Sequence, residues 1–133
     1  MLNGDINFVA VLLAAIVNMI VGSFWYSPSL FGKQWAKLMG RSTDEMRGAN
    51  AGYAIAAACA LAQSYILAHF VQYAGATTAS EGAQVGFWLW VGFVAVTTAV
   101  TNVFAGGSWK LWKINVGYFL VVLIVSGALL TVM

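Results

Sequence analysis

The side chains of this 133-residue chain that could do chemistry are polar groups set inside long apolar runs. Asn18, Gln63, Thr97, Thr98, Thr101, Asn102 and Asn115 all lie in such runs, and none carries a charge. An amide in hydrocarbon must find a partner. Such groups therefore either clamp neighbouring helices, at about 0.6 kcal/mol for an average interhelical hydrogen bond, or line a small polar cavity. Asn18, Thr98, Asn102 and Asn115 fall at similar depth along their runs and form the candidate intramembrane polar cluster. Groups suited to covalent or metal chemistry are missing from the pattern. His69 stands without a Cys, Asp or Glu beside it, which argues against a zinc site. Cys59 falls in mid-run, far from any base that would make it a thiolate. There is no paired carboxylate and no Ser/His/Asp set, and the glycines follow helix-packing rather than phosphate-loop spacing. The expectation is a protein that is not an enzyme and binds no cofactor.

Composition identifies the setting that holds these residues. Hydrophobic residues make up 62% of the chain and charged ones 8%, against about 45–50% and 25% in soluble domains. Six Lys and Arg in all cannot form the basic footprint of a nucleic-acid-binding domain. The abundance of aromatic and aliphatic residues excludes disorder. A single cysteine permits no internal disulfide.

Crossing a hydrocarbon core about 30 Å thick takes roughly 20 apolar residues in a helix. Four runs meet that length, at about residues 6–26, 51–74, 83–104 and 111–132, with Lys113 at the very edge of the last. The predicted fold is an all-α membrane protein, one integral domain of four transmembrane helices. No Lys or Arg precedes the first run, so it is expected to be a retained span rather than a cleaved signal. Lys33, Lys37, Arg41 and Arg47 lie between spans one and two, and Lys110 and Lys113 between spans three and four. Those two connections share one side of the membrane. Asp5 and Glu81 fall on the other side, which has no basic residue. Positive residues in short loops mark the cytoplasmic side, so both termini are expected outward. Phe24-Trp25-Tyr26, Trp109 and Trp112 fit an inner aromatic belt, and Tyr73, Trp88 and Trp90 an outer one.

The basic connection carries a second signal. Ser27-Pro28 suits a helix start, and Phe31, Trp35, Leu38 and Met39 then share one stripe, with Lys33, Gln34 and Lys37 on the other flank. Gly40 is a plausible stop. A short amphipathic helix over about residues 28–39, lying in the headgroup layer with its lysines toward anionic lipid, fits this pattern. A docking face for a partner protein is the alternative. Ser42-Thr43-Asp44-Glu45 reads as a capping box ahead of span two. The short turn from Gly75 to Gly82 predicts a tight hairpin of spans two and three.

Helices in lipid associate through small residues. Span two places one at every fourth position, Gly48, Gly52, Ala56, Ala60, Ser64 and Ala68, and Gly82 and Gly86 repeat the spacing in span three. This stripe serves either internal packing or a seam between copies. Asn18-x-x-x-Gly22 and Asn102-x-x-x-Gly106 suggest a weak parallel repeat of a helical hairpin.

The string Trp25-Tyr26-Ser27-Pro28-Ser29-Leu30-Phe31-Gly32-Lys33-Gln34-Trp35, preceded by Asn18 and Gly22 and followed by Met39-Gly40, resembles the signature of a family of small bacterial membrane proteins known as domain of unknown function 1761. The likeness covers essentially the whole chain. It implies the four-span layout and a bacterial cytoplasmic membrane, and it assigns no activity, substrate or cofactor. Two functions fit the residues. One is an accessory or self-associating structural protein whose partners are the lipid bilayer and a homo-oligomer or another membrane protein. The other is an oligomeric transporter or channel for a small neutral solute, passing Asn18, Thr98 and Asn102. The absence of a carboxylate within any span weighs against proton coupling.

Overall fold

The computed structural model describes residues 5–40 and 50–133. Four membrane-length apolar helices and one short helix account for most of it. Helix α1, Phe8–Trp25, starts at Asn7, whose side-chain oxygen accepts the Ala10 N–H at 3.1 Å. It ends where Pro28 can supply no N–H and disfavours helical geometry in the residue before it. The turn that follows is closed by Phe31 N–H to Trp25 O at 3.0 Å and Gly32 N–H to Ser27 O at 2.9 Å.

Helix α2 is Gly32–Met39, so it begins four residues later than the Ser27-Pro28 pair suggests. The Ser27 hydroxyl donates back to Phe24 O at 2.7 Å and the Ser27 carbonyl closes the turn. Ser27 thus finishes α1 rather than starting α2. A Cβ on Gly32 would collide with the Ser27 backbone, so the chain can double back only with glycine there. Gly40, at φ +70°, ends the helix as expected. Gly32 and Ala36 are buried, Trp35 is half-buried, and Lys33, Gln34 and Lys37 are exposed. The amphipathic character is as read from the sequence. The capping box at residues 42–45 and the small residue Gly48 lie outside the described residues.

Helix α3 is Asn50–Tyr73. Helix α4, Ala79–Leu89, is capped by Thr78 and continues through a π-helical segment, Trp90–Ala95, into α5, Val96–Ala105. Spacing alone did not foretell the π-helical interruption of this span. Gly106, at φ +68°, ends α5, and Ser108 caps α6, Trp109–Val132.

The last helix is the axis of the bundle, with α4 its most extensive partner and α1, α3, α2 and α5 also against it. The expected tight pairing of spans two and three is not what forms, because α3 packs chiefly on α1 and only lightly on α4. Glycines explain the choice. Side chains at Gly82 or Gly86 would strike the α6 backbone at Gly127 and Leu123, and one at Gly127 would strike Gly82 O. The α4 and α6 backbones therefore touch, which is where dispersion is gained when lipid offers no hydrophobic drive. On the other side Ala10, Ala14 and Ala15 of α1 are buried, as are Ala60, Ser64 and Ala68 of α3.

The two ends of the bundle differ in charge. Asn7 Nδ2 donates to Met133 O at 3.1 Å and Gln72 Nε2 to Asp5 O at 2.7 Å, which gathers residues from both ends of the chain and the end of α3 on one side. Lys33 and Lys37 of α2 and Lys110 and Lys113 of α6 lie on the other side, called the basic end below. Trp88 is exposed as a belt residue should be. Trp90 is a correction to that reading: it is half-buried and donates to Val116 O of α6 at 2.8 Å, inside the bundle.

Candidate functional site

Toward the basic end, α1 and α6 are joined by amides and phenols. Asn18 Nδ2 donates to Gln63 Oε1 of α3 at 3.1 Å. The Tyr118 hydroxyl of α6 donates to Asn18 Oδ1 and also lies 3.1 Å from Asn18 O. One residue thereby fastens three spans. Room for Tyr118 comes from Gly22, one turn after Asn18, where a Cβ would sit 3.1 Å from the hydroxyl. Closer to the basic end, the Tyr26 hydroxyl donates to Asn115 Oδ1 at 2.8 Å, and Trp25 Nε1 to Ile114 O at 2.9 Å. The Tyr26 and Tyr118 rings, 5.6 Å apart, join the two sets.

Beside this network α3 leaves the bundle. A small residue every fourth position advances 400° along the helix, 40° more than one turn, so the stripe winds around α3 instead of running straight. Ala60, Ser64 and Ala68 of that stripe face the packed interior, whereas Gly52 and Ala56 are exposed and line a cleft of about 660 Å³. Gly22, Tyr26, Trp35, Tyr118 and Phe119 form the other walls. The Trp-Tyr-Ser-Pro string thus shapes the cleft: Tyr26, Ser27 and Pro28 line it, and the turn they make brings Trp35 over it, edge-on to Tyr26 at 5.2 Å.

The proposed four-residue cluster is divided by the structure. Asn18 and Asn115 come together through the tyrosine pair. Thr98 and Asn102 do not join them. Thr98 Oγ1 donates to Val94 O at 2.6 Å and accepts from Trp112 Nε1 at 3.0 Å. Asn102 Nδ2 donates to Gly107 O at 3.3 Å, finishing its own helix. The two halves of the apparent repeat are therefore unlike: Gly22 is helical and faces Tyr118, while Gly106 is a left-handed helix end. Equal depth along a span could not reveal this, since depth does not tell which helices are neighbours, and α5 packs against α6 rather than on α1. The sequence reading passed over Tyr26 and Tyr118 as network members. Tyr118, one turn from Asn115 and deep in a span, was the available signal.

His69 is 1% exposed and edge-on to Tyr65 at 4.7 Å, with no hydrogen-bond partner for either ring nitrogen among the described residues. Cys59 is exposed on α3. Among the described residues no three His, Cys, Asp or Glu gather to hold a metal ion.

Three apolar spans around a central fourth, with a short amphipathic helix folded under the first, define a multi-pass all-α membrane protein. Residues 9–131 match the family described as Protein of unknown function (DUF1761), and the chain belongs to that family. No curated protein and no solved structure matches it.

Proposed function

We propose that this protein works by contact within the bilayer, as a self-associating accessory protein rather than an enzyme, in a bacterial cytoplasmic membrane with its termini outward and its basic end at the cytoplasmic face. One observation carries the reading. Among the described residues, none between 51 and 59 is buried, yet that half of α3 reads Ala-Gly-Tyr-Ala-Ile-Ala-Ala-Ala-Cys. Facing lipid, a helix gains nothing from small residues. Facing another helix, they let backbones approach, as Gly82, Gly86 and Gly127 do inside this bundle. Ala51, Ala54 and Ala58 lie on the side of α3 away from Gly52 and Ala56, so a neighbour can pack there and leave the cleft free. The basic end is assigned to the cytoplasm because every Lys and Arg of the sequence lies in the two connections on that side.

Counting photobleaching steps of singly labelled protein at high dilution in vesicles tests the proposal. Two or more steps are expected from the native chain, and one step from Ala54→Leu/Ala58→Leu, whose added bulk holds the backbones apart. A single step from the native chain contradicts self-association. The second reading, passage of a small neutral solute, draws support from the uncharged Asn18–Gln63 pair behind the cleft. It requires several copies, since Leu67, Val71, Val122 and Leu123 are packed shut toward the terminal end.

A further inference from the structure

The hydrogen bonds and charges of the cleft walls at the basic end narrow what can fill it. Its volume of about 660 Å³ is that of a ligand site, about 300–1,000 Å³. It is too small for a partner's helix: a cylinder about 10 Å across needs roughly 1,300 Å³ for three turns. The hydroxyl-bearing side chains that line it are Ser23, Tyr26, Ser27, Tyr53 and Tyr118. All but Tyr53 have given their hydrogens away. Ser23 donates to Met19 O at 2.9 Å, Ser27 to Phe24 O at 2.7 Å, Tyr26 to Asn115 and Tyr118 to Asn18. Toward the cleft those oxygens offer lone pairs alone, so they call for a donor.

Charge is absent from the walls. Among the described residues no Lys, Arg, Asp or Glu lines the cleft, so an anion meets no cationic partner there and a cation no carboxylate. Burying either ion unpaired is costly. A cation is disfavoured further because every Lys and Arg of the sequence lies on this side. The occupant these walls favour is uncharged. The rings specify its shape. Trp35, Tyr26, Tyr118 and Phe119 follow one another at centroid separations of 5.2, 5.6 and 5.0 Å, and Tyr53 of α3 adds another ring. Paired aromatic rings gain beyond the area they bury, which an acyl chain in the same space does not.

We propose that this cleft binds an uncharged aromatic molecule carrying an O–H or N–H, given to a hydroxyl oxygen of the wall while the ring packs on the tyrosines and Trp35. Binding needs neither self-association nor passage across the membrane, since Ala54 and Ala58 lie on the other side of α3.

Saturable binding of radiolabelled 1-naphthol to the full chain in phosphatidylcholine vesicles tests this, with protein-free vesicles as the partition background. One site per protomer is expected. Competitors, each corrected for its own partition, read the chemistry. 1-Methoxynaphthalene keeps the rings and loses the donor, and should compete about fivefold more weakly, the worth of one neutral hydrogen bond. Decahydro-1-naphthol keeps the donor and loses the aromatic rings, and should also fall behind 1-naphthol. The anion 1-naphthoate and the cation 1-naphthylmethylammonium should compete least. Gly52→Leu fills the cleft from an exposed position on α3 and should abolish saturable binding. Absence of a saturable site in the native chain overturns the proposal, as does any of the four competitors matching 1-naphthol. Equal binding by Gly52→Leu and the native chain places the ligand elsewhere and overturns it too. The competitors act on the native chain, so they decide the matter even if Gly52→Leu does not fold.

Discussion

The terminal half and the basic half of this bundle are made of similar residues used in opposite ways. Toward the termini, small residues meet small residues across helix pairs: Gly82 and Gly86 against Gly127, and the alanines of α1 in the same packed layer as Ser64 and Ala68 of α3. Toward the basic end α3 presents as many small residues, and among the described residues no helix covers them. Aromatic rings and amides take over the cohesion there, with Trp25, Tyr26 and Tyr118 bonded to backbone and side-chain oxygens across α1 and α6. A small-residue stripe thus marks a close approach only where a second helix reaches it. The unmatched part is available for other molecules.

Enlarging a glycine in each half should have very unequal effects. Gly86→Leu drives a side chain into the α6 backbone and should cost about 3 kcal/mol or more, the upper range for overpacking. Gly52→Leu, on the open cleft, should stay within about 0.5 kcal/mol, as for an exposed site. Thermal unfolding of the two variants in one detergent gives the contrast, and equal losses would erase it. Next in size is Asn18→Leu, which strips donors and acceptors from Gln63 and Tyr118 together. A loss of about 1–2 kcal/mol is expected, up to the largest interhelical bond energies on record. A gain in melting temperature would show that Asn18 is not a clamp. Tyr26→Phe removes one bond to Asn115 and leaves the ring packing, so about 0.5–1 kcal/mol is expected from the same melts. Trp112→Phe should be the smallest, under about 0.5 kcal/mol, since it frees only an exposed Thr98 hydroxyl that still bonds to Val94.

Much of the architecture was legible because hydropathy runs and charge position obey strong rules. The four spans, the amphipathic α2 with its stop at Gly40, and the gathering of Lys33, Lys37, Lys110 and Lys113 at one end all follow from composition and spacing. What escaped depends on angle around a helix. Nothing in the sequence marks the π-helical segment at Trp90–Ala95, or shows that α5, with Thr98 and Asn102, packs on α6 rather than beside Asn18 of α1. The choice of α6 over α3 as partner for α4 needed Gly127, whose match to Gly82 lies 45 residues away in the chain and is visible only in three dimensions. Trp90 was grouped with the belt by its type, but its indole N–H is satisfied inside the bundle by Val116 O. Span depth can be counted along a sequence, whereas facing cannot.

Oxidative crosslinking in native membranes probes the open half of α3 most directly. With Cys59→Ser as background, single cysteines at Ala51, Ala54, Ala58 and, as a buried control, Ala68 are oxidised and run without reductant. A disulfide needs Cα atoms within about 4.4–6.8 Å. Self-association through this surface predicts dimer bands at Ala54 and Ala58 and none at Ala68. Monomer at all four positions, under conditions where a cysteine at exposed Leu30 is fully alkylated, would contradict it.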